Sequence, residues 1–367
     1  MPRDRQLTIF LIAFLTLDPV KVSGQEDKKP AWFDSISMNV FLSFGYSYNF
    51  NRPDTLKNLY HVFDINDETF TADVLEVSLK KDVLKAGDAG FRFDLTAGTS
   101  IPRVTQSSGF DIGDLDFHQM FLSYVAPVGS GLKVDAGKFI TSAGYEIIEG
   151  YDGYDDNYSR SLLFGYAIPF THTGLRASYT FNDHLSTLMM VVNGWDDAID
   201  NNTSKTFGAQ LNVTPLRGMN IFATVITGAE KPHNNSDKRY LYDVVATFTA
   251  DSTLIFGING DYGAEQHSAV DGGTATWDGI AGYIRWNIVK QFSLSMRGEQ
   301  FEDLAGIRTR TAQILHELTI TPEYRPRENL VLRGDVRADR SNRNVFQKQS
   351  GWTNNQPTTS LNIIVIF

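Results

Sequence analysis

Five carboxylates are concentrated in one stretch of this sequence, among glycines and tyrosines. They are Glu146, Glu149, Asp152, Asp155 and Asp156, and Arg160 follows close behind. Acidic groups at this density can orient polar solutes and bias ion selectivity when basic groups face them across a water-filled space. Arg160 could pair with one of the acids and fix the stretch in place. Two alternatives stay open: an ordinary solvated acidic loop, and a calcium site of Asp152, Asp155 and Asp156, whose spacing matches no EF-hand.

The residues expected to line the opposite wall are charged side chains at alternate positions of extended segments: Arg92, Asp94, Arg176, Arg297, Arg333, Asp335 and Arg337. The five arginines among them could face these acids. Arg333, Asp335 and Arg337 alternate with apolar residues from Leu330 to Ala338. A soluble core would not accept such a charged face without full pairing, whereas a water-filled interior would. The pattern therefore predicts that these residues line the wall of a pore.

The histidines are candidate catalytic residues. The seven are His61, His118, His172, His184, His233, His267 and His316. They form no His-Glu-x-x-His pair, and the sequence has neither a Gly-x-Ser-x-Gly elbow nor a glycine-rich phosphate loop. Asp114, Asp116 and His118 could imitate an acid and base pair, but the polar rim of a strand explains them equally well. The sequence predicts no enzyme, no cofactor and no metal.

The first residues predict export. Arg3 and Arg5 precede an apolar run that is too short to span a membrane, which takes ~20 residues, and small side chains follow at 22–24. We interpret 1–24 as a signal peptide and 25–35 as an N-terminal periplasmic segment. The chain has no cysteine for a disulfide or a lipid anchor. Removal of 1–24 leaves 30 basic and 41 acidic residues, which argues against nucleic acid as a partner.

The elements that carry these residues are long alternating strands. From Ile36 to Phe50, every second residue is apolar or aromatic, and nearly all of those between are small and polar. Such a strand exceeds the usual soluble length and can cross a bilayer when tilted. The same reading gives sixteen candidate strands, with fourteen as the alternative. They lie near 36–50, 69–82, 90–100, 116–126, 131–140, 173–182, 184–194, 204–214, 219–229, 239–251, 253–263, 276–290, 291–302, 311–322, 328–339 and 357–367.

The connections between these strands alternate between short turns and long loops. This alternation is typical of an outer-membrane barrel with short periplasmic turns, long extracellular loops and an even strand number. We therefore predict an all-β, transmembrane, antiparallel up-and-down β-barrel over 36–367. The last strand ends on Phe367, which is similar to the C-terminal signal for insertion of bacterial outer-membrane barrels. The expected partners are outer-membrane lipid and the barrel assembly machinery, and a homotrimer stays open.

Five segments carry a family resemblance. They are FGYSYNFNRP at 44–53, GKFITSAGYE at 137–146, NYSRSLLF at 157–164, PFTHTG at 169–174 and VNGWD at 192–196. Together they resemble the OmpL-like β-barrel porin-2 family. The resemblance implies an outer-membrane porin of a Gram-negative bacterium and supplies neither a substrate nor functional residues.

The longest connection, 141–172, contains the acidic stretch. In sixteen-stranded general porins the third loop folds into the lumen and narrows it, and we expect 141–172 to do the same, because its aromatic and apolar residues imply packing. The predicted function is passive diffusion of small hydrophilic solutes and ions. The alternative is a surface barrel that acts as an adhesin or receptor through its long loops.

Overall fold

The computed structural model describes residues 35–101, 115–150 and 152–367. Ile36–Phe367 form one structural unit, and of the other unit, Met1–Ser35, only Ser35 is described. The expected signal peptide and nearly all of the N-terminal segment 25–35 therefore lie outside the described residues, as does Asp114. No helix in the described part of the chain is long and apolar enough to span a membrane.

Alternating sequence produces long antiparallel strands that close on themselves. The strands are β1 Ile36–Asn49, β2 Thr69–Lys81, β3 Ala89–Ala97, β4 Leu115–Ala126, β5 Leu132–Ile140, β6 Thr171–Asn182, β7 Leu185–Val192, β8 Thr206–Leu216, β9 Met219–Ala229, β10 Lys238–Thr249, β11 Leu254–Glu265, β12 Ala275–Val289, β13 Phe292–Asp303, β14 Gln313–Arg327, β15 Leu330–Ser341, β16 Phe346–Lys348, β17 Gly351–Thr353 and β18 Asn355–Ile366. Sixteen of them form a closed barrel, in which each strand pairs with its neighbours in sequence and β18 pairs with both β15 and β1.

The closure between the first and last strands satisfies the backbone groups that an open sheet would expose. β1 and β18 are antiparallel from Phe41 opposite Ile366 to Asn49 opposite Thr358. The barrel confirms the predicted fold class and the count of sixteen. The hairpin of β16 and β17 is not part of the barrel sheet. It lies in the connection between β15 and β18, which the sequence predicts to be a long loop.

Alternation along each strand separates an inner face from an outer face. On β15 the side chains of Arg333, Asp335 and Arg337 are buried, whereas Val336 between them is 62% exposed. On β8 Thr206 is buried and Phe207 beside it is exposed. The outer face over these positions is therefore apolar and suited to lipid, and Arg333, Asp335 and Arg337 point inward.

The two ends of the barrel differ in the length of their connections. One end carries only turns, including the two-residue turns at 183–184, 217–218, 290–291 and 328–329, together with both strand ends at Ile36 and Ile366. Gly218 takes a φ of 85° in its turn, a conformation that favours glycine. The other end carries the described parts of the long connections, 50–68, 98–101, 141–150 with 152–170, 193–205, 230–237, 266–274, 304–312 and 342–354.

Candidate functional site

The connection 141–170 between β5 and β6, here named the inner loop, contacts the inward-facing side chains of β2, β3, β8 and β11 to β15. Its acids, its single arginine and its apolar residues were all singled out in the sequence, and most of them are buried. A single π-helical turn, Leu163–Ala167, lies within the buried part, which continues through Ile168 and Phe170. The structure therefore places the acidic stretch against the inner wall.

Two glutamates of the inner loop meet arginines of the wall. Glu146 lies 2.6 Å from the Nη1 atom of Arg297, and Glu149 lies 2.6 Å from the Nη2 atom of Arg333. Burial by itself raises the pKa of Glu149, but the guanidiniums of Arg160 and Arg333 outweigh it and hold the pKa below its ordinary value. Glu149 is therefore a carboxylate at neutral pH, as a buried ion pair requires.

Arg160 is the central cation of the inner loop and is fully buried. Its guanidinium lies 2.8 Å from Glu149 and 3.0 Å from Asp155, and it stacks 4.7 Å from the ring centre of Phe63. Burial raises the pKa of Asp155 to about 8; Arg160 opposes this shift, and Glu146 and Glu149 add to it. Arg160 therefore contacts two acids, and the pKa of Asp155 is higher than that of Glu149.

The main chain of the inner loop is also bonded to the wall. The amides of Tyr158 and Ser159 donate to Asp335, and the amides of Leu162 and Leu163 donate to Glu299. Arg337 donates to the carbonyl oxygen of Arg160 at 2.6 Å. Charge-assisted bonds of this kind are roughly twice as strong as neutral ones. They fix the path of the chain independently of the side-chain ion pairs.

The remaining acids of the stretch lie at its edges. Asp156 lies 2.6 Å from Arg285 on β12, and Asp152 pairs with Arg92 on β3 while its side chain stays 44% exposed. Asp152, Asp155 and Asp156 therefore contact three different guanidiniums instead of converging on one point. The oxygen atoms that the calcium alternative requires are directed elsewhere.

Some wall residues expected to face the inner loop are engaged with other wall residues. Arg176 on β6 lies 2.8 Å from Asp135 on β5 and forms no ion pair with the loop acids. Asp94 on β3 lies 2.7 Å from Arg92 and accepts a hydrogen bond from Gln119. Both groups lie on the inner face, but they form part of the wall and not of the loop attachment.

A second connection, 50–68, also contacts the inner wall, and the sequence did not predict this. In the connection 50–68, His61 bridges Asp64 at 2.7 Å and Asp339 on β15 at 3.0 Å, and all three are buried. Burial and Arg337 lower the pKa of His61, but the two aspartates outweigh them, so the pKa lies above its ordinary value. The run of Tyr60, Val62 and Phe63 was the available signal, because such residues in a loop imply packing.

These two connections share an apolar core within the barrel. Phe63 packs 6.2 Å from Phe164, and Tyr60 packs 5.9 Å from Tyr166, measured between ring centres. The same cluster includes Trp277 and Phe301 from the wall. The inner loop is therefore packed on its apolar side as well as paired on its charged side.

Two cavities remain beside the inner loop. A cavity of about 440 Å³ lies between Tyr145 and Asp156 of the loop and Gln210, Phe222 and Val245 on β8 to β10. A second cavity of about 350 Å³ follows β2 to β6 and is lined by basic groups including Arg92, Lys133 and Arg176. At the level of the inner loop these two wall regions are less covered than β12 to β15, beside which a cavity of about 380 Å³ lies toward the short turns at Ser252 and Lys290.

The group considered for acid and base chemistry consists of ordinary wall pairs. Asp116 lies 2.7 Å from Lys138 on the neighbouring strand β5, and His118 lies 3.1 Å from Glu76 on β2, across the intervening β3. Asp116 and His118 therefore have separate partners. Cross-strand pairs on an inner face explain their presence.

A closed sixteen-stranded barrel with an apolar outer face and a charged inner face defines an outer-membrane barrel of the porin class. The chain belongs to the family described as "Putative beta-barrel porin-2, OmpL-like", whose model matches residues 35–367. It is an outer-membrane porin of a Gram-negative bacterium, and the resemblance seen in the sequence is confirmed.

Solved structures support the fold at low sequence identity. The outer membrane channel DcaP of Acinetobacter baumannii has a TM-score of 0.62 at 11% identity, covering 90% of this chain and 97% of that chain. An anion-selective porin from Comamonas acidovorans has a TM-score of 0.61 at 9% identity, covering 91% and 99%. OmpT of Vibrio cholerae in a trimer form has a TM-score of 0.59 at 12% identity, covering 90% and 99%. No curated protein matches the chain.

Proposed function

We propose that this porin is a passive diffusion channel for small hydrophilic solutes and ions, and that the inner loop narrows it. The observation that carries the proposal is the uneven attachment of the loop. Glu146, Glu149 and Asp156 bind β12 to β15, whereas Asp152 alone of the five acids pairs with β3, and cavities remain beside β8 to β10 and β2 to β6. Solutes pass through the space that the loop leaves, where charged and polar groups orient them.

The long loops face the cell exterior in this proposal, and the short turns face the periplasm. The barrel assembly machinery recognises the C-terminal strand. Phe367 suits this role because its side chain is 67% exposed while its backbone is bonded to Val40. The trimer form of OmpT from Vibrio cholerae supports a homotrimer as the assembly in outer-membrane lipid.

Cysteine modification during single-channel recording tests the narrowing, because the chain has no cysteine of its own. Val245 is buried on the inner face of β10 and lines the cavity beside the inner loop, whereas Val244 is 49% exposed on the outer face. In V245C, attachment of a small charged methanethiosulfonate reagent is expected to remove most of the current. The matched variant V244C is expected to keep its current.

Each outcome of this experiment has a separate meaning. Folded protein that inserts into a planar bilayer but never conducts would contradict the channel and favour a receptor function of the long loops. Steady conductance with equal responses of V245C and V244C would keep the channel and contradict the narrowing. A sixteen-stranded barrel without a constriction is too wide for one small adduct to block.

A further inference from the structure

Another cavity, of about 560 Å³, lies at the long-loop end of the barrel. Its lining includes Tyr60 from the first long connection, Tyr166 from the inner loop, Trp195 from 193–205, Arg308 from 304–312 and Arg239 at the start of β10. Small-molecule sites have volumes of about 300–1,000 Å³ and combine apolar walls with a few fixed polar groups. This cavity has that size, its lining combines aromatic rings with charged and polar groups, and it shares no lining residue with the cavities of about 440 and 350 Å³.

Two guanidiniums are held over one indole in this cavity. Arg239 lies 4.9 Å and Arg308 lies 5.2 Å from the ring centre of Trp195, and Arg308 also lies 5.1 Å from that of Trp277. Trp277 is fully buried and donates its Nε1 hydrogen to the carbonyl oxygen of Ala167 at 3.0 Å. The aromatic platform is therefore rigid, and cation–π attraction orients both cations.

The loop that carries Arg308 is built around one carboxylate. Asp303 accepts hydrogen bonds from the amides of Ile307, Arg308 and Thr309 at 3.0, 2.9 and 2.6 Å. The Nε atom of Arg308 donates to the carbonyl oxygen of Tyr166 at 2.5 Å. Such contacts fix the guanidinium before any ligand arrives, which lowers the entropic cost of binding.

The two cations are not equally neutralised. Arg239 lies 2.7 Å from Glu265, whereas no described carboxylate lies within 4.0 Å of Arg308. Asp196 lines the cavity too, but it accepts the amides of Phe170 and Thr171 at 2.6 and 2.9 Å. Burial, together with the nearby Arg239, lowers the pKa of Arg308 to about 10, against the opposing influence of Asp196, Glu265 and Asp303. Arg308 therefore remains a cation at neutral pH without an anion in contact.

We propose that this cavity binds a small organic carboxylate with a ring-shaped body, held through its carboxylate by Arg308 with Arg239 beside it. A guanidinium fork matches the two oxygens of a carboxylate, and the Tyr60 and Tyr166 rings supply contact for an organic body. Inorganic phosphate could use the same guanidiniums but would leave the aromatic lining unused. The role of the cavity as a solute entry site rests on the proposed channel function, whereas the binding itself does not.

Isothermal titration of the folded full-length protein in detergent tests the site, with benzoate as the probe. Benzamide has the same ring without the charge, and inorganic phosphate has the charge without the ring. Benzoate is expected to bind saturably and more tightly than either. R308Q is expected to weaken benzoate binding about tenfold or more, since a charge-assisted bidentate contact is lost. R343Q removes the same charge from an exposed residue of 342–354, outside the cavity, and is expected to bind as the parent does.

Several results would overturn the proposal. They are the absence of saturable benzoate binding, equal binding by R308Q and the parent, benzamide binding as tight as that of benzoate, or phosphate binding that matches benzoate. Heat-dependent gel mobility shows whether R308Q is folded, and R239Q, which removes the second cation, gives an independent variant if it is not. Conductance recorded from the same preparations separates the two proposals, because a protein that conducts but does not bind benzoate refutes only this one.

Discussion

Two sides of the barrel interior use their charges in different ways. On the attached side, β12 to β15, Arg297, Arg333 and Arg337 are buried with loop or wall carboxylates and loop carbonyl oxygens. On the open side, β2 to β6, the side chains of Arg92 and Arg176 are 13% and 17% exposed and line a cavity. Arginines on the attached side are therefore buried beneath the loop, whereas those on the open side border a cavity, and of these Arg92 also pairs with Asp152 at the edge of the loop.

The difference in burial sets what each side contributes. Removing one partner of a buried ion pair leaves a charge without compensation in a medium of low dielectric constant, which costs about 3–5 kcal/mol. A pair that contacts water gains little, commonly below about 1 kcal/mol. The attached side therefore stabilises the position of the loop, and the open side shapes the field that a solute meets.

The largest expected effect comes from Arg297→Gln on the attached side. This change leaves Glu146 and Glu317 buried without their guanidinium, which lies 2.6 and 3.0 Å from them. We expect the free energy of unfolding to fall by about 3–5 kcal/mol and the single-channel conductance to rise as the loop loosens. Urea titration in detergent micelles measures the first quantity, and bilayer recording measures the second.

Arg176→Gln is the matched control for this prediction. Its guanidinium pairs with one wall carboxylate, Asp135, its side chain is 17% exposed, and Asp135 keeps a second cation, Lys133, at 3.5 Å when Arg176 is removed. The expected loss of unfolding free energy is about 1 kcal/mol or less. Equal losses in the two variants would remove the distinction between the attached and open sides.

Alternation in the sequence predicts which side chains point inward, but not which of them meet. It places Arg333, Asp335 and Arg337 correctly on an inner face, because the period of a strand is two residues. It misses Arg285, the partner of Asp156, because that contact depends on where the loop crosses the lumen. It also misses His61, because its two aspartates lie in a loop and on β15, far apart in sequence.

The sequence predicts only part of the loop attachment. Acids, aromatics and length mark 141–170 as a segment that packs, and its contacts with the inner face agree with that expectation. The packing of 50–68 against it is a tertiary contact between two irregular segments, for which no periodicity exists. The open space beside β8 to β10 results from the joint packing of these two connections, so neither segment of the sequence predicts it alone.

An intermediate effect is expected from pH, through Asp155 at the centre of the attachment. Its pKa is raised from 3.8 to about 8, so the folded state keeps a proton that the unfolded chain releases. The contribution of protonated Asp155 to the free energy of unfolding is fully present below about pH 4 and is lost as pH rises through about 8. In D155N the amide imitates the protonated acid and should not titrate.

The measurement is the unfolding free energy of parent and D155N between about pH 5 and pH 9. As pH rises toward 8, the unfolding free energy of D155N should increase relative to that of the parent by up to about 1.4 kcal/mol per pH unit. Above pH 8 the difference between the two proteins should become constant. D271N removes a carboxylate from an exposed residue of 266–274 and should follow the parent throughout. Parallel curves for the parent and D155N would show that Asp155 is not protonated in the folded barrel.

The smallest expected effect concerns selectivity on the open side. Arg176 lies over Phe121 and Phe139 at 5.2 and 4.5 Å, so its guanidinium is held in place beside the cavity. R176Q should move the reversal potential under a potassium chloride gradient toward cations, because one fixed positive charge leaves the wall. R343Q removes the same charge from an exposed loop and should shift it less.

Salt decides whether this shift arises from the field of the wall. The screening length is about 10 Å at 0.1 M salt and about 3 Å at 1 M, so the difference between R176Q and R343Q should shrink as salt increases. A shift that does not change with salt would indicate a steric change of the passage. No difference at low salt would mean that ions do not pass along β2 to β6, which would leave the space beside β8 to β10 as the conducting side.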